Sequence, residues 1–152
     1  MSNTFEGDLI RPLGLVTLNF GYLEYELDSF LERLASAELV PASWRQRPIG
    51  QKLSLLSESL RTLDASVHSG LDTLLDEIQG LLEQRNALVH GCIVAGGRVV
   101  SGRSGVDEAR TSPEELTSLA EKAFTWKERL WAYRWKQVEP QLAAISSPAR
   151  TK

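Results

Sequence analysis

Apolar residues recur every three or four positions along four stretches of the chain, the spacing that places them on one face of an α-helix. The first stretch runs through Leu13, Val16 and Phe20, and the third through Leu74, Ile78 and Leu81. We therefore predict four long helices, over about 13–37, 49–63, 71–90 and 113–138, the last reaching Ile145 if it passes Pro140.

The residues between these stretches are typical of helix ends. Pro41 and Pro48 separate the first two stretches, because a residue before proline is disfavoured in the helical region. A polar loop over 64–70 precedes the third stretch. Ser112 and Pro113, followed by two glutamates, form a strong start signal for the last helix.

After Gly91 the pattern changes from helical spacing to short apolar runs on either side of Gly96-Gly97. Paired glycines supply the positive φ of a tight turn, so we predict a two-stranded hairpin at about 92–101. The predicted fold class is all-α: a four-helix bundle with a short β-hairpin between helices three and four. We expect one domain over 1–152, with its core at about 13–145 and a disordered tail at about 146–152.

The composition of the chain argues against several classes of function. The net charge of −3 gives no general attraction for nucleic acid, so an RNA ligand would need a local basic cleft. One cysteine and two histidines offer no disulfide framework and no metal-ligand spacing, so we predict no metal and no cofactor. No leader pattern is present, and no apolar run approaches roughly 18 residues. We expect a soluble cytoplasmic protein without a membrane segment.

The end of the third helix carries the candidate chemistry. Arg85 stands where the apolar stripe calls for a hydrophobic residue, and a buried charge without a partner is costly. Asn86 and His90 are four residues apart and share one face, whereas Arg85 and His90 diverge by about 140° on an ideal helix. Both could line one pocket only if the last turn distorts or a partner surface completes it.

The stretch Arg85-Asn86-Ala87-Leu88-Val89-His90, at the end of a helix in a four-helix layout, resembles the HEPN superfamily. That family is marked by an arginine, four to six residues and a histidine, often with a polar residue directly after the arginine. The resemblance in layout covers about Leu13 to Leu142, while the motif itself is short. Its placement, interrupting an apolar stripe and closing a helix, adds weight to the spacing.

The resemblance implies a metal-independent endoribonuclease, often the toxin of a toxin–antitoxin or phage-defence pair, that acts as a homodimer with both motifs in one cleft. His90 would act as general base on a ribose 2′-hydroxyl or protonate the leaving oxygen. Arg85 would bind the scissile phosphate, and Asn86 would orient the imidazole or a phosphate oxygen.

Other interpretations of these residues stay open. His90 beside Gly91 can favour the helix dipole, and Arg85 can form an interhelical ion pair. The chain would then be a non-catalytic HEPN module that binds a nucleotide, RNA or a protein such as a nucleotidyltransferase, or a purely structural helical oligomer. For Trp126, Trp131 and Trp135, packing in the core or a dimer interface is favoured over base stacking.

Overall fold

Each main helix of the structure ends close to the last apolar residue of its predicted stripe. A computed structural model describes residues 8–94, 98–101 and 108–146, with the backbone alone between 89 and 110. Its main helices are α1 (Ile10–Ser36), α2 (Ile49–Arg61), α3 (Leu71–His90), α4 (Pro113–Tyr133) and α5 (Glu139–Ser146). Short 3₁₀ turns at Ala42–Gln46 and Ala65–His68 precede α2 and α3. The helical bundle expected from the stripes is present.

Helix α4 packs most extensively against α1, and both α2 and α4 also contact α3. This places α1 and α3 on a diagonal of the bundle. Helices α1 and α4 run in the same direction, since Asn19 Nδ2 donates a hydrogen bond to the Ala120 carbonyl (2.9 Å) and Phe30 lies beside Tyr133. One continuous core results, and its largest buried side chains include Phe20, Phe30, Leu56, Ile78 and Leu130.

The predicted hairpin at about 92–101 is wrong as a description of the segment between α3 and α4. No isolated two-stranded hairpin stands there in the described residues. Three strands, β1 (Gly91–Val94), β2 (Arg98–Ser101) and β3 (Glu108–Arg110), form one antiparallel sheet in the order β1-β2-β3. In its register Gly91 lies opposite Ser101, and Val100 opposite Glu108.

The hairpin prediction is wrong because the outer edge of β2 would carry unpaired backbone groups. A lone two-stranded ribbon is marginal in water and leaves backbone N–H and C=O groups unpaired on both sides. Strand β3 pairs with one of those edges. Its residues Glu-Ala-Arg have weak strand propensity, so the apolar pattern gave no sign of it. The predicted Gly96-Gly97 turn lies outside the described residues, as does the predicted tail beyond Ser146.

The predicted fourth helix is also not a single α-helix. After Tyr133 the chain widens into a π-helical segment, Arg134–Val138, before α5 begins. Pro140 explains this locally, because it has no N–H to donate to the preceding turn and its ring would crowd that turn in a regular helix. The helical path nevertheless continues past Pro140 to Ser146.

Charged side chains link this π segment to α1. Arg134 lies 3.5 Å from Glu26 and 3.3 Å from Glu139, and Arg33 Nε donates to Glu139 Oε2 (3.0 Å). Burial raises the pKa of Glu26 above its usual value of 4.5, although the charge of Arg134 acts in the opposite direction. These ion pairs hold the π-helical segment after α4 against α1. They do so at an electrostatic cost, because Glu26 loses contact with water on burial.

Tyr133 provides a test of how the 3₁₀ turn before α3 is held. Its hydroxyl donates to the Val67 carbonyl, and both residues are buried. We expect Tyr133→Phe to lower the free energy of unfolding by about 1–3 kcal/mol, because it leaves that carbonyl without its donor. Urea denaturation at neutral pH measures this loss.

The same residue predicts a pH dependence. Burial raises the pKa of Tyr133 from 10.0 to about 12, so the unfolded chain ionises before the native one. The stability that this group contributes is complete below pH 10 and is lost as the pH rises through about 12. Wild type should therefore lose up to about 2–3 kcal/mol more than Tyr133→Phe over that interval. Equal losses in the two proteins would contradict the assignment.

Candidate active site

Arg85 reaches across the diagonal of the bundle from α3 to α1. Its Nη2 lies 2.9 Å from Glu24 Oε1, and its guanidinium carbon lies 6.0 Å from the centre of the Phe20 ring. The side chain of Arg85 is 21% exposed and that of Glu24 is 36% exposed. The charge that interrupts the apolar stripe thus meets a partly hydrated carboxylate.

This ion pair does not satisfy the guanidinium. Arg85 Nε is buried and has no hydrogen-bond partner in the described part of the protein. Glu24 Oε1 also makes no hydrogen bond there, despite its short distance to Nη2. The distance shows that the two charges are adjacent, but the N–H bonds of Arg85 do not point at Glu24 Oε1 closely enough to form a hydrogen bond. A guanidinium carries five N–H donors in its plane, and the Nε donor of Arg85 is not used by Glu24.

The short length of α2 explains why this end of α3 is open. Lys52, in the first turn of α2, donates to Asp28 Oδ1 of α1 (2.8 Å). The next residues of α2 form a shallow depression with α3 that ends at Gln79. Helix α2 therefore begins about one turn below the level of Glu24 and Arg85, and the last turns of α3 extend beyond it.

The three candidate residues occupy different positions on α3. Asn86 is half-buried, like Arg85, and His90 is the last residue of the helix, with its side chain outside the described part. The helix stays regular through His90, so the divergence of about 140° between Arg85 and His90 is retained. One chain brings Asn86 and His90 to the same face and leaves Arg85 turned towards α1.

Glu24 is the neighbour that sequence reasoning did not place. In the sequence, Glu24 and Asp28 lie one turn apart among the polar residues of the first helix. In the structure these two carboxylates separate: Glu24 pairs with Arg85, and Asp28 with Lys52. No local signal could have shown this, because the pairing depends on how the helices cross. Among the described residues, no group of three or more His, Cys, Asp or Glu could hold a metal ion.

A second cleft lies on the α4 side of α3. Its volume is about 500 Å³, its floor is formed by Leu88, Leu116 and Leu119, and Glu114, Glu115 and Lys122 lie among its polar lining residues. An apolar floor with more carboxylates than cations does not suit a phosphate. This cleft is distinct from the Arg85 site, and no pattern along the chain predicted it.

Comparisons with known proteins identify no relative of this chain. No family model, no curated protein and no solved structure matches the chain. Across the part of the chain that the structure describes, no helix is long and apolar enough to cross a membrane. The HEPN resemblance therefore rests on the six-residue motif and on the helical layout.

A double-mutant cycle tests whether Arg85 holds the bundle together. We expect a coupling free energy of about 0.5–1 kcal/mol between Arg85→Ala and Glu24→Ala, because the pair is partly exposed and lacks a hydrogen bond. Urea denaturation of both single variants, the double variant and wild type gives this value.

The matched control is the pair Lys52–Asp28, which also joins α1 to a neighbouring helix but is hydrogen-bonded. Its coupling should equal or exceed that of Arg85 with Glu24. A coupling of about 3 kcal/mol or more at Arg85, in the range of a buried pair, would make this residue a structural brace instead of a site residue.

Proposed function

We propose that the chain is a metal-independent endoribonuclease of HEPN type, with Arg85, Asn86 and His90 as its catalytic residues. The observation that carries the proposal is the buried Arg85 Nε without a hydrogen-bond partner, one helical turn from the end of α3 that holds His90. A guanidinium and an imidazole together supply anion binding and proton transfer, the two functions that cleavage of a phosphodiester needs. Because Arg85 and His90 diverge on one helix, a homodimer would have to bring Arg85 of one copy to His90 of the other.

In the proposed reaction the substrate is single-stranded RNA, and its own 2′-hydroxyl is the nucleophile. His90 takes the 2′ proton, the 2′ oxygen attacks phosphorus, and the bond to the 5′ oxygen breaks as that oxygen is protonated. The products are a 2′,3′-cyclic phosphate and a 5′-hydroxyl. Arg85 stabilises the charge that builds on the phosphate oxygens, and Asn86 orients the imidazole on their shared face.

Glu24 has two effects in this scheme. Its carboxylate, 2.9 Å from Arg85 Nη2, holds the guanidinium in place before substrate binds. It also competes with an incoming phosphate for that cation. The proton given to the leaving oxygen comes from a second imidazole or from water, because one His90 cannot serve as base and acid in the same step.

As a biological role we propose a cytoplasmic toxin, paired with an antitoxin or with a nucleotidyltransferase partner. This part of the proposal rests on the resemblance alone. A second candidate is a non-catalytic HEPN module that binds a nucleotide, RNA or a protein partner. The neutralisation of Arg85 by Glu24 favours this alternative, because a paired guanidinium binds phosphate more weakly.

Activity is tested with purified protein and single-stranded RNA in the presence of EDTA. Wild type should cleave, and His90→Ala should lose turnover because the proton carrier is gone. Arg85→Lys should be severely impaired, since an ammonium cannot reproduce the guanidinium fork. Cleavage that survives His90→Ala, or that needs added Mg²⁺, would refute the mechanism.

The chain offers a matched control for each change. His68, the other histidine, donates from Nε2 to the Leu60 carbonyl (3.2 Å). It lies before α3, about 30 Å from the far end of that helix. His68→Ala should keep cleavage. Arg61, which pairs with Asp72 on the surface, gives the conservative control Arg61→Lys, and this variant should also stay active.

A further inference from the structure

We propose that the cleft between the last turns of α3 and the first turns of α4 binds a short apolar peptide whose amino and carboxyl ends are both free. This space is called the α3–α4 cleft, and its volume is about 500 Å³. Small-molecule sites in proteins have volumes of roughly 300–1,000 Å³. Neither Arg85 nor Asn86 lines the cleft, so the proposal is independent of the proposed function.

The cleft is open because α4 is held to other parts of the bundle on either side of it. Asn19 of α1 donates to the Ala120 carbonyl, and Tyr133 donates to the Val67 carbonyl before α3. Among the described residues, no hydrogen bond or ion pair joins α3 itself to α4. Ala87 and Ser118 line the cleft, and both side chains are too short to fill it.

The floor of the cleft is apolar. Leu116 and Leu119 of α4 are buried beneath it, and Leu88 of α3 is half-buried, so part of the Leu88 side chain still contacts water. A ligand that covers Leu88 removes this apolar surface from water, which is favourable. The ligand therefore needs an apolar body.

Charged groups of opposite sign lie at the two ends of the cleft. Glu114 and Glu115 are in the first turn of α4, and Lys122 lies further along the same helix. Glu115 and Lys122 are seven residues apart, so they share one face of α4 and lie about 10 Å apart along its axis. Within the described part of the chain, none of these three groups forms an ion pair. A ligand that spans the cleft meets carboxylates at one end and an ammonium group at the other.

An extended tripeptide matches this layout. At about 3.3–3.6 Å per residue its length is roughly 10 Å. Its amino end lies at Glu114 and Glu115, and its carboxylate lies at Lys122. Successive side chains of an extended chain point to opposite sides. The first and third side chains therefore face Leu88 and the floor, and the second faces solvent.

Other ligands of this size use the cleft less completely. A phosphate group meets two carboxylates and one ammonium group, so the net interaction is repulsive. A fatty acid leaves Glu114 and Glu115 without a partner, and an alkylamine leaves Lys122 without one. A ligand that is apolar and carries both charges complements both ends of the cleft.

A titration of the ¹⁵N-labelled full chain with the peptide Leu-Ser-Leu tests the proposal by NMR. The shifts of backbone amides should saturate and should be largest at Ala87, Leu88 and Ser118. Acetylation of the amino end and amidation of the carboxyl end should each raise the Kd several-fold, because each removes one charge contact at a solvent-exposed site.

Charge variants test which end of the peptide lies where. In Lys122→Gln, amidation of the peptide should no longer change the Kd, while acetylation should still raise it. In the double variant Glu114→Gln, Glu115→Gln, the two effects should be exchanged. Glu121→Gln is the matched control, because Glu121 is an exposed acid of α4 outside the cleft, and it should bind as wild type does.

Ser118→Trp tests the position of the site by filling the cleft. Ser118 is exposed, so circular dichroism should show native helix content, while peptide binding should be lost. If this variant fails to fold, the charge variants decide. The proposal is overturned if wild type shows no saturable shifts at millimolar peptide, or if free and doubly blocked peptides bind equally. Shifts centred on Gln79 would also overturn it, because the peptide would then lie in the depression between α2 and α3.

Discussion

Burial of the inner face of α1 is the constraint on which the bundle depends. Phe20, Leu23, Leu27 and Phe30 on that face are almost completely enclosed, and α4 supplies most of the covering surface. The level at which α4 meets α1 is fixed by Asn19 at one end and by the charges of Arg134 and Glu139 at the other. Because α4 packs along this side of α1, α3 lies diagonally opposite α1 in the bundle. Arg85 can therefore contact α1 only through the interior of the bundle.

An arginine in that position carries a cost that the fold only partly offsets. Glu24 supplies the opposite charge, but no hydrogen bond joins the two groups, and Arg85 Nε stays buried without a partner in the described part of the chain. A hydrophobic residue would complete the stripe between Leu82 and Leu88 at no electrostatic cost. A charged residue at a position where packing favours an apolar one usually serves a function other than stability. This supports the interpretation of Arg85 as a site residue.

The sequence predicted the helices because each carries an apolar stripe that extends over several turns. It missed the π segment at Arg134–Val138, since the effect of Pro140 depends on how α4 is held against α1. Strand β3 was missed because Glu108-Ala109-Arg110 has no apolar pattern and exists by pairing with β2. Arg85 was singled out from the stripe it interrupts, but its partner Glu24 is a tertiary contact that spacing cannot show. Of the two kinds of packing predicted for the tryptophans, the core is excluded for Trp131 and Trp135, which are 48% exposed, whereas Trp126 is partly buried against the core.

The unfolding free energy of Arg85→Leu is the most direct test of this account. Leucine restores the apolar stripe, removes the unsatisfied Nε and leaves Glu24 partly hydrated. Removing one partner of a fully buried ion pair is costly because the other charge is left without water, but the Glu24 side chain is 36% exposed and keeps part of its hydration. We expect the variant to be as stable as wild type or more stable in urea denaturation, while its RNA cleavage is lost. A loss of about 3 kcal/mol or more would contradict the account, because it would show that Arg85 is there to hold the bundle together.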